Sequence, residues 1–215
     1  MKKLFLVIMA LSLLLVTGCG KESLSSQEQG SGYTVVDARG KKITFASAPK
    51  RIVCLNYSAT DILTDLIPTE QIIATDMWAR EEDLSNCYEK LKGIPVCENN
   101  PEQIMKFKPD IVILTDGRAN ELADTLDSVG IKTCVLRQPK TIQEIPDYIK
   151  IVGEVADTKA AADSLAEKVA AYIKASAGGQ KIESVLLIHP NGGIGQKGSM
   201  PASICEACNI ENLAA

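Results

Sequence analysis

The chain has 215 residues, with 23 Lys and Arg against 27 Asp and Glu, so its formal net charge is −4 at pH 7. This length suits one large domain or roughly one and a half typical ones. The acidic balance argues against a protein that binds nucleic acid, because phosphate recognition needs clustered basic side chains.

The first 18 residues predict an export signal. Lys2 and Lys3 precede an apolar run, 4–16, that only Ser12 interrupts. The run is shorter than the ~20 residues of a membrane-spanning helix and is typical of a signal peptide that is removed. We therefore expect a protein that works outside the cytoplasm.

The end of this signal carries small residues directly before a cysteine, in the order Val16-Thr17-Gly18-Cys19. The pattern resembles a bacterial lipobox, in which the cysteine is acylated and becomes the new N-terminus; an ordinary signal peptide with an incidental cysteine is the alternative. Acyl chains on Cys19 would hold the protein at the outer face of the cell membrane, because each buried methylene contributes about 0.8 kcal/mol. Residues 19–32 then form the lipidated cysteine and a flexible polar tether.

The other six cysteines have two interpretations. They are Cys54, Cys87, Cys97, Cys134, Cys205 and Cys208. An even number in an exported protein permits disulfides, and Cys87 with Cys97 is the most plausible local pair. Alternatively, these residues are small buried thiols, and sequence alone does not decide between the two.

Regular structure is predicted from Tyr33 onwards. Two strand-like runs around 38–40 predict a hairpin, and short β-branched runs then alternate with amphipathic helical segments. The predicted strands are 51–55, 71–75, 110–114 and 132–136, and the predicted helices are 58–67, 100–107, 120–130 and 141–156. This alternation predicts an α/β fold with a parallel, Rossmann-like sheet covered by helices on both faces, over 33–157.

Two of these helices begin with capping signals. Asn100 is followed three residues later by Gln103, and Thr141 is followed by Glu144 in the same way. Each pair predicts a capping box, in which two side chains satisfy unpaired N–H groups at the helix start.

The alternation of strands and helices ends after the first predicted lobe. A long helix over 158–177 has no strand before it, which predicts a connecting helix. A strand at 184–188, a glycine-rich loop at 192–199 and a helical segment at 204–208 follow. One strand, one loop and one helix cannot close a core, so we expect 178–215 to be an incomplete second α/β lobe, in a fragment or a truncated gene product.

Candidate ligand-binding residues follow the predicted strands, because ligands bind outside the carboxyl ends of open parallel sheets. They are Asn56, Tyr57, Trp78, Arg80, Arg118, Arg137 and His189. Trp78, the only tryptophan, suits a ligand platform or covers the lobe surface. The arginines can pair with an anionic ligand, although a single arginine is more often a solvated surface residue. His189, the only histidine, either lines the cleft or ends a strand.

No motif in the chain indicates catalysis. There is no Ser-His-Asp arrangement, and the glycine-rich loop lacks both the P-loop ending and the dinucleotide fingerprint. Cys205 and Cys208 have redox-motif spacing but stand among apolar residues at helical spacing, which favours packing. An exported thiol-redox enzyme using this pair remains an alternative. A metal-ion-binding protein is another, which a single histidine argues against.

Two longer segments, "DARGKKITFASAPKRIVCLNYSATDIL" and "NPEQIMKFKPDIVIL", resemble periplasmic-binding-protein-like substrate-binding proteins for iron-siderophores, haem and cobalamin. The resemblance covers about residues 33–215. It implies two α/β lobes bridged by one long helix, a metal chelate bound between them, and docking on an ABC permease powered by an ATPase. We expect a monomer without a cofactor.

The resemblance also implies residue roles. In this family one acidic residue on each lobe contacts arginines of the permease, and the first of them falls at Glu102. The strand-end arginines favour an anionic ferric siderophore, whereas Trp78 and Tyr57 can equally pack against a corrin or porphyrin. We therefore rank a ferric siderophore slightly above cobalamin and place haem third.

Overall fold

A computed structural model of the chain describes residues 32–117, 119–176, 182–188 and 195–214. The predicted signal and tether, with Cys19, lie outside the described residues, as do Arg118 and His189. Within the described ranges no helix combines the length and the apolar character that crossing a membrane requires.

The described residues alternate between strands and helices, as the sequence pattern predicts. The strands are β1 (Tyr33–Val36), β2 (Lys42–Phe45), β3 (Ile52–Leu55), β4 (Ile72–Thr75), β5 (Ile111–Thr115), β6 (Thr133–Leu136), β7 (Ser184–Val185) and β8 (Glu211–Asn212). The α-helices are α1 (Tyr57–Leu66), α2 (Pro101–Phe107), α3 (Ala119–Ser128), α4 (Ile145–Val155), α5 (Lys159–Ser176) and α6 (Met200–Ala207). Short 3₁₀ turns cover Thr69–Gln71, Trp78–Arg80, Glu89–Leu91 and Ile142–Glu144.

The central sheet is parallel throughout, with strand order β4-β3-β5-β6. Every residue of β3 is buried because successive side chains point to opposite, covered faces. Ile52 and Cys54 belong to the core beneath α1 and α4, whereas Val53 and Leu55 belong to the core beneath α2 and α3. The predicted α/β sheet with helices on both faces is therefore confirmed.

Both outer strands of this sheet have additional backbone partners. Beside β6, the N–H of Ala38 donates to the carbonyl of Val135 at 2.8 Å, and the N–H of Val135 donates to a carboxylate oxygen of Asp37 at 3.3 Å. Beside β4, Thr75 makes two backbone bonds of 3.1 and 2.8 Å with the segment 95–97. Irregular chain thus occupies hydrogen-bonding positions that an open sheet edge would leave free.

A buried ion pair fastens the β1–β2 hairpin to the sheet. The side chain of Asp37 is fully buried and accepts a 2.8 Å hydrogen bond from Nε of Arg39. Arg39 also donates to Thr133 at 2.8 Å and to Asp127 at 3.1 Å. The guanidinium therefore links the hairpin to β6 and to the end of α3, with its charge compensated by carboxylates as a buried charge requires.

The start of α4 differs from the prediction. The Thr141 side chain makes no capping hydrogen bond, and Glu144 accepts from the N–H of Lys140 at 2.8 Å. The predicted Thr141–Glu144 capping box is therefore wrong. Pro146 lacks an N–H and suits the first turn of a helix, so the α-helix begins beside it, and a 3₁₀ turn precedes it.

The strand predicted at 184–188 is also shorter than expected. Only Ser184 and Val185 pair with another strand, through parallel contacts with Glu211 and Asn212. Leu186 and Ile188 are largely exposed. The carbonyl of Leu187 accepts a 3.2 Å hydrogen bond from the N–H of Gly195, and Ile188 forms an isolated bridge, so pairing continues past Val185 without a regular ladder.

All six cysteines of the described ranges are free thiols. Cys87 packs in the core beneath α1 and α4, whereas Cys97 packs in the core on the opposite sheet face. The proposed local disulfide between them is therefore wrong, because the sheet separates the two side chains. Five of the six thiols are buried, as the alternative interpretation expects.

Helices α4 and α5 approach each other most closely at a glycine. A Cβ atom added to Gly153 would lie 2.1 Å from Cβ of Ala162. Ala162 and Ala166 are the buried residues of α5, whereas Tyr172 of the same helix is 75% exposed. The small side chains at the crossing therefore set the distance between the two helices.

We predict that Gly153→Ala lowers the free energy of unfolding. The clash with Ala162 costs about 1–3 kcal/mol as overpacking, against a gain of up to ~1 kcal/mol from replacing a helical glycine. Urea denaturation measures the difference. Combining the change with Ala162→Gly makes room for the new methyl, so the double variant should be more stable than the two single effects added. A Gly153→Ala protein as stable as its parent would contradict this packing.

Candidate functional site

A cleft of about 920 Å³ opens at the carboxyl ends of the parallel strands. Side chains that directly follow all four strands of the sheet line it, as the strand-end rule predicts. Those residues are Asn56, Tyr57, Asp76, Trp78, Asp116 and Gln138. Met200, the first residue of α6, also lines the cleft, so the 195–214 segment contributes to it.

Asn56 forms part of the cleft floor and begins α1. Its Oδ1 accepts hydrogen bonds from the N–H of Ala59 and from Nε2 of Gln138, both at 3.0 Å. The residue is only 2% exposed, yet its Nδ2 atom has no hydrogen-bond partner. Tyr57, the next residue, is half exposed at the rim.

Tyr148 of α4 lies beside Asn56, and the sequence did not single it out. It is 4% exposed and lines the cleft, and its buried hydroxyl lies beside the Asn56 amide outside ideal hydrogen-bond geometry. Burial raises the pKa of this phenol, and its interaction with the Asn56 side chain opposes part of that rise. Its place on the apolar side of a predicted helix is equally typical of a core tyrosine, so no sequence signal distinguishes it.

Trp78 stands at the rim on a short, fastened turn. Asp76, which follows β4, accepts a 2.9 Å hydrogen bond from the N–H of Ala79 and so caps the 3₁₀ turn Trp78–Arg80. Burial raises the pKa of Asp76, while the N–H groups of Ala79 and Trp78 act in the opposite direction. Trp78 is 52% exposed, so a large flat surface faces the cleft opening.

Of the predicted arginines, Arg80 and Arg137 are described, and neither belongs to the cleft lining. Arg80 is directed back into its own lobe, where it donates to the carbonyl of Ile94. Arg137 is largely exposed; its Nε lies 3.9 Å from Asp116, and it lines a separate pocket of about 260 Å³ beside the β1–β2 hairpin. Arg118 and His189 are outside the described residues.

The described lining is acidic and rich in amides. It includes the carboxylates Asp61, Asp76 and Asp116 and the amides Asn56, Asn86, Asn99 and Gln138, and no Lys or Arg belongs to this described set. Over the described residues no cluster of three or more His, Cys, Asp or Glu side chains has an arrangement that could hold a metal ion. The amides and carboxylates of this lining can form hydrogen bonds with a ligand, and Tyr57 and Trp78 add aromatic surface.

Glu102 lies on a different surface, in the first turn of α2, and is exposed. The N–H of Gln103 donates to Oδ1 of Asn100 at 3.0 Å, so the predicted N-cap is confirmed. The Gln103 side chain instead accepts from the N–H of Glu98 at 3.0 Å, so only half of the predicted capping box is present. Ile104 faces the core, which directs Glu102 to solvent.

Cys205 and Cys208 lie at the C-terminal end of α6. Cys205 is buried within the helix, and Cys208 follows its last residue. A reactive cysteine is usually placed at a helix N-terminus, where the dipole stabilises the thiolate. This placement favours packing, and the N–H of Ile142 donates to Ser203 of the same helix at 3.0 Å, which holds α6 against the first lobe.

Comparisons of the sequence and of the structure with known proteins all match periplasmic binding proteins. The family model described as periplasmic binding protein matches residues 52–202. The uncharacterized ABC transporter substrate-binding lipoprotein YvrC of Bacillus subtilis is 24% identical over 176 residues. A cobalamin-binding protein of Halobacterium salinarum is 24% identical over 129 residues, which are 60% of this chain and 35% of that protein.

The alignment with YvrC includes 76% of this chain but 54% of the relative, so the chain spans about half the length of that protein. Among solved structures, the molybdate periplasmic binding protein MolA of Haemophilus influenzae superposes with a TM-score of 0.68 at 18% identity. That superposition covers 85% of this chain and 66% of MolA. At this identity it shows a shared fold.

We predict that Asp76→Ala loosens the turn that carries Trp78. Losing the cap should cost about 1 kcal/mol of stability and lower the fluorescence anisotropy of the single tryptophan. Asp76→Asn is the matched control, because an amide oxygen can still accept from the N–H of Ala79. Equal anisotropy in the Ala and Asn variants would show that the carboxylate does not hold the turn.

Proposed function

The chain belongs to the periplasmic binding protein family, and we propose that it is the substrate-binding subunit of an ABC importer for a metal chelate. The observation that carries this proposal is the cleft at the carboxyl ends of the strands, with Trp78 and Tyr57 exposed at its rim. Exposed aromatic rings on a fixed sheet suit the flat or apolar surface of a chelate. Ferric siderophores, cobalamin and haem are the candidate ligands.

The proposed organisation follows the family pattern. Residues 33–157 form the first lobe, 158–177 the connecting helix and 178–215 the start of the second lobe, and the ligand lies between the two lobes. Cys19 is proposed as the lipidated residue that holds the protein at the outer face of the membrane. A lipoprotein among the relatives supports this anchor. The subunit binds and delivers its ligand as a monomer and does not convert it.

Glu102 is the proposed contact with the permease. An exposed carboxylate in the first turn of α2 contributes only about 0.3–1 kcal/mol to the helix through its dipole. The same charge can pair with an arginine of a partner when docking excludes water. Since Glu102 is absent from the cleft lining, docking and ligand binding involve different surfaces of the lobe.

The ligand proposal predicts that a bound chelate quenches the tryptophan fluorescence of the native protein. Cyanocobalamin, haemin and ferric siderophores are titrated, and mass spectrometry identifies any ligand that co-purifies. Trp78→Ala, titrated by calorimetry because it contains no tryptophan, should weaken binding by about tenfold or more, since burying an aromatic side chain contributes roughly 1.5–3 kcal/mol. Tyr172→Ala, an exposed aromatic on α5 away from the cleft, is the control. Failure of every probe to bind would refute the proposed function.

The docking proposal predicts that Glu102→Gln weakens association with the permease in liposomes and leaves ligand affinity unchanged. The loss should be greater at low salt than at high salt, because salt screens exposed charges. Glu121→Gln removes an equivalent first-turn carboxylate from α3 and serves as the matched control. If Glu102→Gln reduced ligand affinity while docking was preserved, Glu102 would belong to the binding site.

A further inference from the structure

Three large apolar side chains around the cleft are about half exposed. They are Tyr57 at 49%, Trp78 at 52% and Leu84 at 58%, and all three belong to the described cleft lining. One exposed leucine is ordinary on a protein surface. Three large apolar side chains around one opening, among polar neighbours, are instead typical of a binding surface. The strand-end rule selects Tyr57 and Trp78 but not Leu84, which lies further along the chain.

Leu84 belongs to an irregular segment, 77–91, in which backbone turns follow one another. The N–H of Glu81 donates to the carbonyl of Trp78 at 3.3 Å, and the N–H of Leu84 donates to the carbonyl of Glu81 at 3.1 Å. Each such turn keeps its first and fourth Cα atoms within about 7 Å of each other. Trp78 and Leu84 are therefore close enough for one ligand in the cleft to contact both.

Buried side chains fix the inner side of segment 77–91. Ala79, Cys87 and Leu91 are at most 1% exposed and belong to the core beneath α1 and α4. Trp78 and Leu84 alternate with these buried residues along the chain and line the cleft. The segment thus has one side packed on the lobe and another side that is open to a ligand.

Side chains of α1 contact the same segment. Nδ2 of Asn86 donates to a carboxylate oxygen of Asp61 at 3.3 Å, and Lys90 pairs with Asp65, one helical turn further along α1. Contacts between exposed groups are individually weak. Together with the buried side chains they connect the segment to the helix that Tyr57 begins, so all three apolar side chains belong to one packed unit.

Leu84 directly follows three acidic residues, Glu81, Glu82 and Asp83. A run of this kind is typical of a solvated loop, so no sequence pattern indicates a ligand contact here. Glu82 and Asp83 are exposed beside the leucine. Transfer of its apolar surface from water to a ligand is favourable in proportion to the area that is covered.

We propose that Leu84 is a third apolar contact for the ligand, and that segment 77–91 is a side of the cleft already folded before the ligand binds. This inference rests on the proposed function and adds a requirement to it. The ligand presents an apolar edge to Leu84, besides the surface that contacts the two aromatic rings. Because the segment is held by its own turns and buried side chains, little conformational entropy is lost when Leu84 is covered.

Three substitutions test the contact. Leu84→Asn replaces the apolar surface with a polar amide of similar size, whereas Leu84→Met keeps an apolar side chain and should restore binding. Val129→Asn is the matched control, because Val129 is 56% exposed and is not part of the described cleft lining. Leu84 is more than half exposed, so thermal unfolding should be nearly the same in all three variants.

The probe is whichever of cyanocobalamin, haemin, a ferric trishydroxamate and a ferric triscatecholate binds the native protein most tightly, titrated by calorimetry at several temperatures. Leu84→Asn should weaken binding roughly threefold to tenfold, the effect of burying the exposed half of a leucine side chain. It should also make the heat-capacity change of binding less negative, because that change reports buried apolar surface. Leu84→Met and Val129→Asn should stay within about twofold of the parent affinity.

An affinity of Leu84→Asn within about twofold of the parent would overturn the contact. A weaker affinity with an unchanged heat-capacity change would also overturn it, since the leucine would then act on the loop and not on the ligand. In both cases the protein still binds a chelate and the proposed function stands. If no probe binds the parent protein, the proposed function fails and the contact fails with it.

Discussion

Burial of both faces of the parallel sheet is the constraint on which the rest of the lobe depends. Because helices cover each face, the polar side chains available to a ligand are those that follow the strands. All four strands end at the same side, so residues distant in sequence, such as Asn56 and Gln138, come within hydrogen-bonding distance. The cleft is thus a direct result of how the apolar residues are ordered along the chain.

Asn56 shows how helix capping and cleft lining share one side chain. Its oxygen completes the start of α1, and the residue also lines the cleft. A side chain fixed in this way loses little conformational freedom when it binds a ligand, which is the advantage of building a site on regular elements. Asp76 likewise has two roles, since it caps the turn that carries Trp78 and also lines the cleft.

The architecture could be predicted from the sequence because strand and helix periodicity are local signals. The Asn100 cap and the hairpin around 38–40 were predicted for the same reason. The direction of Arg80 was not predictable, since it depends on a tertiary contact with the carbonyl of Ile94. Tyr148 was missed because an aromatic residue on the apolar face of a helix has the same pattern whether or not it lines a cleft.

The points at which individual strands and helices begin and end were harder to predict, because they depend on neighbouring elements. Leu186 and Ile188 have the composition of a strand, but the described residues beside them pair at isolated positions and do not form a continuous ladder. Thr141 and Glu144 have the composition of a capping box, but a nearby proline sets where the helix begins. In each case the sequence predicted the type of element correctly, and neighbouring residues determined its length or its first residue.

The occupied margins of the sheet have a consequence for contacts between copies of the chain. Asp37 and Ala38 bond to Val135 of β6, and the segment 95–97 bonds to Thr75 of β4, so each outer strand is blocked at one position. An open ladder would let the sheets of two copies merge. A second copy could pair with either edge along its full length only by displacing these bonds.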